Sequence, residues 1–191
     1  MTNTKLKEER TRGYFIEATK EILRGEGSKA LSVRNIAERA GYSYATLYNY
    51  FKDQTELISL SLFDFKDECR DAVNKNIRKS KPGKTEIKVK VVSYINYFVQ
   101  YPGVFDLFYI EKLASKEVDD QVITFLDNLC EEDWNFLINN HTYSRQEVEF
   151  KRKTLNNATI GLLMSYLKRS TSSDYSDFLK DIDMTVETIL T

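Results

Sequence analysis

The chain has 191 residues, a formal net charge of −1, and hydrophobic and charged residues at 41% and 30% of its length. This balance excludes disorder as the default and leaves enough chain to bury a core. Two prolines and seven glycines leave long uninterrupted stretches, which favours an all-α fold. Because the sequence lacks the roughly 18 consecutive apolar residues of a membrane span and its N-terminus is polar, we expect a cytoplasmic protein without membrane contact.

The cysteines and the histidine give no sign of a metal site or a disulfide. Cys69 and Cys130 are the two cysteines and lie far apart within helical patterns, so we expect reduced thiols. His141 is the one histidine and has no cysteine or histidine near it, which argues against structural zinc. A glycine-rich phosphate loop and a G-x-S-x-G motif are also missing from the sequence. We therefore predict a protein that is not an enzyme and holds no metal or cofactor.

The charges are divided unevenly along the chain. Residues 1–60 carry ten Lys or Arg against eight Asp or Glu, whereas the remaining residues carry eighteen against twenty-one. Binding of a polyanion is therefore expected in the first segment. Four of its cations precede the first apolar run and form either a short basic arm or a solvated helix start: Lys5, Lys7, Arg10 and Arg12.

The first two predicted helices follow from apolar spacing and from their caps. The first begins at Tyr14 and ends near Gly25, and its apolar residues recur at spacings of three and four. Ser32 is an N-cap candidate for a second, short helix that ends at Gly41.

A third short helix is predicted from Ser43, another N-cap candidate, to about Tyr50. Asp53 with Glu56 resembles a capping box and opens a longer helix to about residue 79. A Pro-Gly pair marks a linker at 80–84. Beyond it the spacing predicts helices at 85–100, 104–115, 118–139, 145–169 and 174–190, which gives about nine helices in all.

Three of the later helix starts carry a recognisable signal. Pro102 suits the first turn of a helix, where its missing N–H would have no intrahelical partner. Ser144 with Glu147 makes a second capping box, and Asp174 is an N-cap candidate for the last helix. A serine-rich break is predicted before that helix, at 170–173.

The second and third helices have the form of a helix-turn-helix. Such a pair needs a tight turn that fixes the helix angle, and Gly41 supplies the backbone freedom for it. Leu47 and Phe51 are four residues apart and should face the core, while Thr46 and Tyr50 are placed to donate hydroxyl hydrogen bonds to phosphates. The outward face carries Tyr44, Ala45, Tyr48 and Asn49. Four tyrosines within the nine residues 42–50 are hard to bury together, which favours a binding surface over a plain core.

From about Tyr14 to Leu60 the sequence resembles the DNA-binding domain of the TetR (tetracycline-repressor-like) family. The resemblance rests on Gly27, Leu31, Ser32, Ile36, Ala37, Gly41, Ser43, Thr46, Leu47, Tyr48, Tyr50, Phe51, Glu56 and Leu57. The candidate DNA-binding residues are Arg34, Ser43, Tyr44, Ala45, Thr46, Tyr48, Asn49, Tyr50 and Lys52. Gln54 stands where the family usually has a lysine that meets a phosphate, and Lys52 is the expected replacement. Ala45 and Asn49 also depart from the residues common at their positions.

The resemblance implies an N-terminal three-helix helix-turn-helix domain at residues 1–55 and a C-terminal helical ligand-binding and dimerisation domain at 56–191. It also implies that the last two helices pair with those of a second copy in a four-helix bundle. The candidate dimer residues are Leu155, Leu162, Tyr166, Phe178, Ile182 and Val186. The alternative is that this apolar face packs only within its own chain.

Aromatic residues are concentrated between Tyr94 and Tyr109. They form either a core or the lining of an apolar effector pocket. The candidate pocket residues are Tyr94, Tyr97, Phe98, Tyr101, Phe105, Phe108, Tyr109 and Trp134.

The resemblance implies a homodimeric repressor that a small-molecule effector releases from a double-stranded DNA operator. The expected partners are the operator, a second copy of the chain and the effector. The alternative is a helical DNA-binding or adaptor protein with no small-molecule effector.

Overall fold

The computed structural model describes residues 3–77, 81–114, 116–168 and 174–191. Within these ranges the regular structure is helical, which confirms the all-α fold. The α-helices are α1 (Asn3–Gly25), α2 (Val33–Ala40), α3 (Tyr44–Leu47), α4 (Gln54–Asn76), α5 (Lys84–Gln100), α6 (Pro102–Tyr109), α7 (Lys116–Ile123), α8 (Phe125–Leu129), α9 (Glu131–Asn139), α10 (Arg145–Leu167) and α11 (Tyr175–Leu190). Among the helices so described, none is long and apolar enough to cross a membrane.

The chain forms two compact units. The first unit contains Met1–Asp67 and Gly103–Ile123, so α6 and α7 cluster with the N-terminal helices. The second contains Glu68–Pro102 and Thr124–Thr191. Helix α4 contributes residues to both units. The domain boundary at residue 55 stays a prediction.

The helix at the N-terminus and the helix predicted at 118–139 differ most from the sequence prediction. Helix α1 begins at Asn3 instead of Tyr14, so the four early cations belong to the start of a helix and not to an extended arm. Lys5, Lys7 and Arg10 are exposed on it, whereas Arg12 is half-buried. The helix predicted at 118–139 is divided into α7, α8 and α9. The breaks fall at Thr124 and Cys130, whose ψ angles of 3° and 6° lie outside the α-helical range.

The predicted caps are confirmed where the structure describes them. Ser144 and Glu147 form a full capping box at the start of α10. The Asp174 carboxylate accepts a hydrogen bond from the N–H of Asp177 at the start of α11. Pro102 is the first residue of α6. Of the predicted linkers, residues 170–173 and Ser80 lie outside the described residues.

The core of the second unit is built on α5, α10 and α11. Helix α11 presents a stripe of buried residues spaced four apart: Phe178, Ile182, Val186 and Leu190. Leu155 and Leu163 are the buried leucines of α10. A buried ion pair joins Lys90 of α5 to Asp133 of α9, with Nζ and Oδ2 2.6 Å apart. This pairing satisfies two charges that would otherwise be costly inside the core.

Candidate nucleic-acid interface

The helix-turn-helix segment lies on a core made by α1 to α4. Phe15, Ile36 and Leu47 are fully buried in it, and Phe51 is almost so. The prediction that Leu47 and Phe51 face inward is therefore confirmed. The core holds α3 from one side and leaves its opposite side free of packing.

Gly41 sets the angle between α2 and α3. Its φ of 78° lies in the left-handed region that favours glycine. The N–H of Tyr42 donates to the carbonyl of Ala37 over 2.9 Å, which satisfies an end carbonyl of α2. Ser43 follows as the N-cap of α3, and its Oγ accepts from the N–H of Thr46. The two helices are thus joined by the three residues 41–43.

Helix α3 is shorter than the sequence predicts. It runs from Tyr44 to Leu47, and the chain then continues in tighter turns to Tyr50. The N–H of Asn49 donates to the carbonyl of Thr46 over 3.1 Å, and that of Tyr50 to the carbonyl of Leu47 over 2.9 Å. We call residues 43–52 the reading segment.

The side chains predicted to contact DNA are mostly exposed on the reading segment. Tyr44 and Tyr48 have 65% and 54% of their surface exposed, although tyrosine usually buries most of its ring. The other exposed candidates are Arg34 on α2 and, on the reading segment, Ser43, Ala45, Asn49 and Lys52. Two phenol rings one helical turn apart, with an amide and a cation beside them, form a surface that can contact base edges and phosphates.

Thr46 and Tyr50 are half-buried instead of fully exposed. The hydroxyl oxygens of Thr46 and Ser43 lie 2.8 Å apart. The ring of Tyr50 packs against Phe15, with ring centroids 6.2 Å apart. Both residues therefore have a structural role in the domain besides their predicted contact with phosphate.

The turn between the reading segment and α4 is closed by reciprocal hydrogen bonds. Asp53 Oδ1 accepts from the N–H of Glu56 over 2.9 Å, as the predicted capping box requires. The Glu56 carboxylate reaches back to the N–H of Lys52, over 2.7 Å, and not to that of Asp53. The side-chain amide of Gln54 donates to the carbonyl of Leu31 over 3.4 Å. The Lys52 side chain is exposed at this corner.

The sequence analysis missed two features beside the reading segment. Tyr42 stacks on Tyr14 of α1, with centroids 6.4 Å apart, and also contacts Phe15. Arg12, predicted as part of a basic arm, donates a hydrogen bond to the carbonyl of Tyr50. Both contacts join residues far apart in sequence, and the aromatic character of Tyr14 and Tyr42 was the one signal available for the first.

The predicted effector-pocket residues are divided between the two units. Tyr94 and Phe98 of α5 are fully buried and meet edge to face, with centroids 4.9 Å apart. Tyr97, Tyr101 and Trp134 also belong to the second unit, whereas Phe105, Phe108 and Tyr109 belong to the first. The indole N–H of buried Trp134 has no hydrogen-bond partner among the described residues. The close ring contacts show packing, and a pocket at these residues stays a prediction.

Four of the six candidate dimer residues are buried within their own chain: Leu155, Phe178, Ile182 and Val186. Each exposes no more than 3% of its surface within the single chain, so these four residues pack in its own core, and their contact with a second copy stays a prediction. Leu162 and Tyr166 are half-buried, and Tyr166 stacks on Phe178 with centroids 4.1 Å apart. The exposed apolar residues of α10 and α11 are instead Phe150, Met164, Tyr175 and Met184.

Two helices joined by a left-handed glycine on a shared core, with the second helix exposed, define a helix-turn-helix domain. Residues 15–59 match the family model described as bacterial regulatory proteins, tetR family. This stretch of the chain is thus similar to that family of regulators.

Three known proteins illustrate the similarity. The HTH-type transcriptional regulator BetI of Escherichia coli is 28% identical over 81 residues, which is 42% of this chain and 42% of that protein. The alignment thus spans less than half the length of this curated relative.

Solved structures extend the likeness in fold to nearly the whole chain. A TetR family transcription regulator from Marinobacter aquaeolei VT8 has a TM-score of 0.64 at 19% identity, over 96% of this chain and 97% of that one. The regulator FadR from Bacillus subtilis, solved in complex with stearoyl-CoA, has a TM-score of 0.73 at 12% identity, over 93% and 97% of the two chains.

Proposed function

We propose that this protein is a homodimeric transcription repressor that binds a double-stranded DNA operator through the reading segment. The observation that carries the proposal is the exposure of Tyr44 and Tyr48 at the two ends of α3, the capped helix that follows the Gly41 turn. A buried core fixes the other side of the same helix. This is the arrangement in which a recognition helix enters the major groove while the preceding helix braces it.

Each residue of the reading segment is assigned a contact by its chemistry. The Asn49 amide can bond two atoms of an adenine edge, and the rings of Tyr44 and Tyr48 can pack on thymine methyl groups. Lys52 and Arg34 supply positive charge for phosphates. Thr46 and Tyr50 keep hydroxyls at the border of the segment, where they can donate to phosphate oxygens.

The second copy is proposed to dock on the exposed faces of α10 and α11. Phe150 and Met184 expose 71% and 64% of their surface. Phe150, with Lys151, Thr154, Thr188 and Ile189, lines a groove of about 260 Å³ between the two helices. An apolar face of this kind needs a partner, and a two-fold related copy offers the same face in return. Dimerisation would place two recognition helices one turn of DNA apart, roughly 34–36 Å.

The effector is proposed to be a small, mainly apolar molecule bound in the second unit. FadR, a fold neighbour of this chain, is solved in complex with stearoyl-CoA. The aromatic residues of α5 supply apolar surface, and the indole N–H of Trp134, which has no partner in the described part of the chain, supplies one donor. Effector binding would favour a dimer whose reading segments are wrongly spaced for the operator.

A second candidate function, DNA binding without an effector, is favoured by one observation. Tyr94, Phe98 and Trp134 are already buried and in contact with other side chains, as in a filled core. A thermal-shift screen of small apolar molecules, with stearoyl-CoA tested beside them, separates the two candidates. Regulation is supported by a ligand that raises the melting temperature and lowers operator affinity by the same factor by which the operator lowers the affinity for that ligand, because coupling between two binding sites is reciprocal. Independent binding of ligand and operator would exclude it.

The proposed function is tested by selecting bound duplexes from a pool of random double-stranded DNA. We expect enrichment of an inverted repeat whose half-sites lie about one helical turn apart, or a multiple of that distance. A protein that retains no duplex at low salt is not a DNA-binding repressor.

A further inference from the structure

Arg12 has three contacts with the end of the reading segment and the start of α4. Its Nη1 donates to the carbonyl of Tyr50, a residue 38 positions further along the chain. Its guanidinium lies over the ring of Phe51, 4.5 Å from the centroid. Its Nη2 is 3.7 Å from Oε1 of Glu56. One planar group thus holds a carbonyl, an aromatic ring and a carboxylate at once, which the ammonium of lysine cannot do.

The carbonyl of Tyr50 is a group that needs an external donor. It lies beyond the end of α3, where carbonyls have no partner within the helix and carry partial negative charge. A cation that donates to it satisfies the hydrogen bond and the charge together. The contact therefore stabilises the exit of the reading segment and not the interior of α1.

Because of these contacts, the Arg12 guanidinium is not available to bind a DNA phosphate. Its charge is balanced by Glu56, whose second oxygen also accepts the N–H of Lys52. The side chains of Arg12 and Glu56 are 36% and 40% exposed, so the ion pair by itself is weak. The carbonyl hydrogen bond and the stacking on Phe51 carry most of the interaction.

We propose that Arg12 is a positioning residue: it ties α1 to the exit of the reading segment and so holds Tyr48 and Lys52 in the orientation that reads DNA. This inference rests on the proposed function. It assigns to Arg12 a role that depends on geometry, which distinguishes Arg12 from the exposed Arg10 on the same helix.

The test compares Arg12→Gln with Arg10→Gln, since Arg10 is exposed on the same helix and loses the same charge. Amide hydrogen exchange is measured on the free protein, and operator affinity is measured over a range of salt concentrations. For Arg12→Gln we expect exchange at residues 48–52 to rise about 10-fold, with unchanged exchange at Ile22 and Leu23 in the core of α1. Operator affinity should fall by a similar factor while its salt slope stays as in the unsubstituted protein. Arg10→Gln should leave the exchange unchanged.

The result that overturns the proposal is unchanged exchange at residues 48–52 in Arg12→Gln. A salt slope reduced by about 0.9 would also overturn it, because that is the signature of a lost phosphate contact. If Arg12→Gln does not fold, Arg12→Lys keeps the charge and loses the planar stacking, and faster exchange confined to residues 48–52 is again expected. Exchange at wild-type rates in Arg12→Lys would refute the role. Exchange is measured without DNA, so it tests the role of Arg12 independently of DNA binding. A protein that binds no duplex would contradict the proposed function, and the exchange data would still test whether Arg12 holds residues 48–52.

Discussion

The Oγ of Ser43 lies 2.8 Å from Oγ1 of Thr46 and also accepts the N–H of Thr46 over 3.2 Å. One serine hydroxyl thus caps α3 and fixes the rotamer of a residue predicted to meet a phosphate. Stability of the short helix and orientation of its binding side chains depend on the same atom.

We expect Ser43→Ala to lower the free energy of unfolding by about 1 kcal/mol, the usual cost of losing an N-cap. Operator affinity should fall about fivefold, because the start of α3 is no longer fixed. The matched control is Ser144→Ala, which removes the N-cap of α10 in the other unit. Urea unfolding and a binding titration check both variants. Equal operator affinity in the two alanine variants would contradict the role of Ser43.

Lys52→Ala tests the replacement of the lysine that the family usually places at Gln54. Lys52 is exposed beside the start of α4, and its backbone bond to Glu56 survives the substitution. We expect the salt slope of operator binding to fall by about 0.9, the contribution of one neutralised phosphate. Lys153→Ala, which removes an exposed charge from α10, should leave the slope unchanged. Equal slopes for Lys52→Ala and the unsubstituted protein would exclude a phosphate contact.

Met184→Glu tests the proposed dimer face. Met184 is among the most exposed apolar side chains of the described residues, and a buried glutamate without a partner is costly at an interface. We expect sedimentation equilibrium to show a monomer where the unsubstituted protein is a dimer. Ile110→Glu is the control, since it places the same charge at an exposed apolar residue of the first unit. If the Met184→Glu variant remains a dimer, the dimer interface does not include Met184.

The two thiols should be protected from alkylation in the native protein. Burial raises the pKa of Cys130 to about 12 and raises that of Cys69 as well. Iodoacetamide at pH 8 should therefore label neither thiol until urea unfolds the chain, as mass spectrometry would show. Rapid labelling of the native protein would contradict this burial.

The raised thiol pKa values also predict that the free energy of unfolding decreases at alkaline pH. The unfolded thiols ionise near pH 9, whereas the Cys130 thiol stays neutral in the folded state up to about pH 12. Their contribution is therefore complete below pH 9 and is lost as the pH rises toward 12. Cys130→Ala should reduce this alkaline loss in a series of urea titrations. If Cys130→Ala and the unsubstituted protein lose stability identically with rising pH, groups other than the Cys130 thiol cause the loss.

Sequence reasoning succeeded where the cause of the structure is local. Gly41 needs a left-handed backbone, Ser43 caps the helix that follows, and Leu47 and Phe51 share one face because they are four residues apart. Each of these features depends on a few neighbouring residues. The exposure of Tyr44 and Tyr48 followed from the same spacing.

It failed where the cause lies in distant residues. The contact of Arg12 with Tyr50 joins positions 38 residues apart, and no local sequence pattern predicts it. The break at Cys130 contains neither glycine nor proline. The apolar stripe of α11 showed which side is buried, but the same stripe suits a partner subunit or the chain's own core. In the structure Ile182 and Val186 meet their own chain.

The central claim is that the exposed tyrosines of the reading segment contact duplex DNA. Fluorescence anisotropy with the selected duplex should show tight binding by the unsubstituted protein and loss of more than about 10-fold in affinity for the Tyr44→Ala/Tyr48→Ala variant. Circular dichroism should show the same helix content for both proteins, since neither ring belongs to the core. If the folded double variant binds the duplex as tightly as the unsubstituted protein, the reading segment is not the DNA-binding surface.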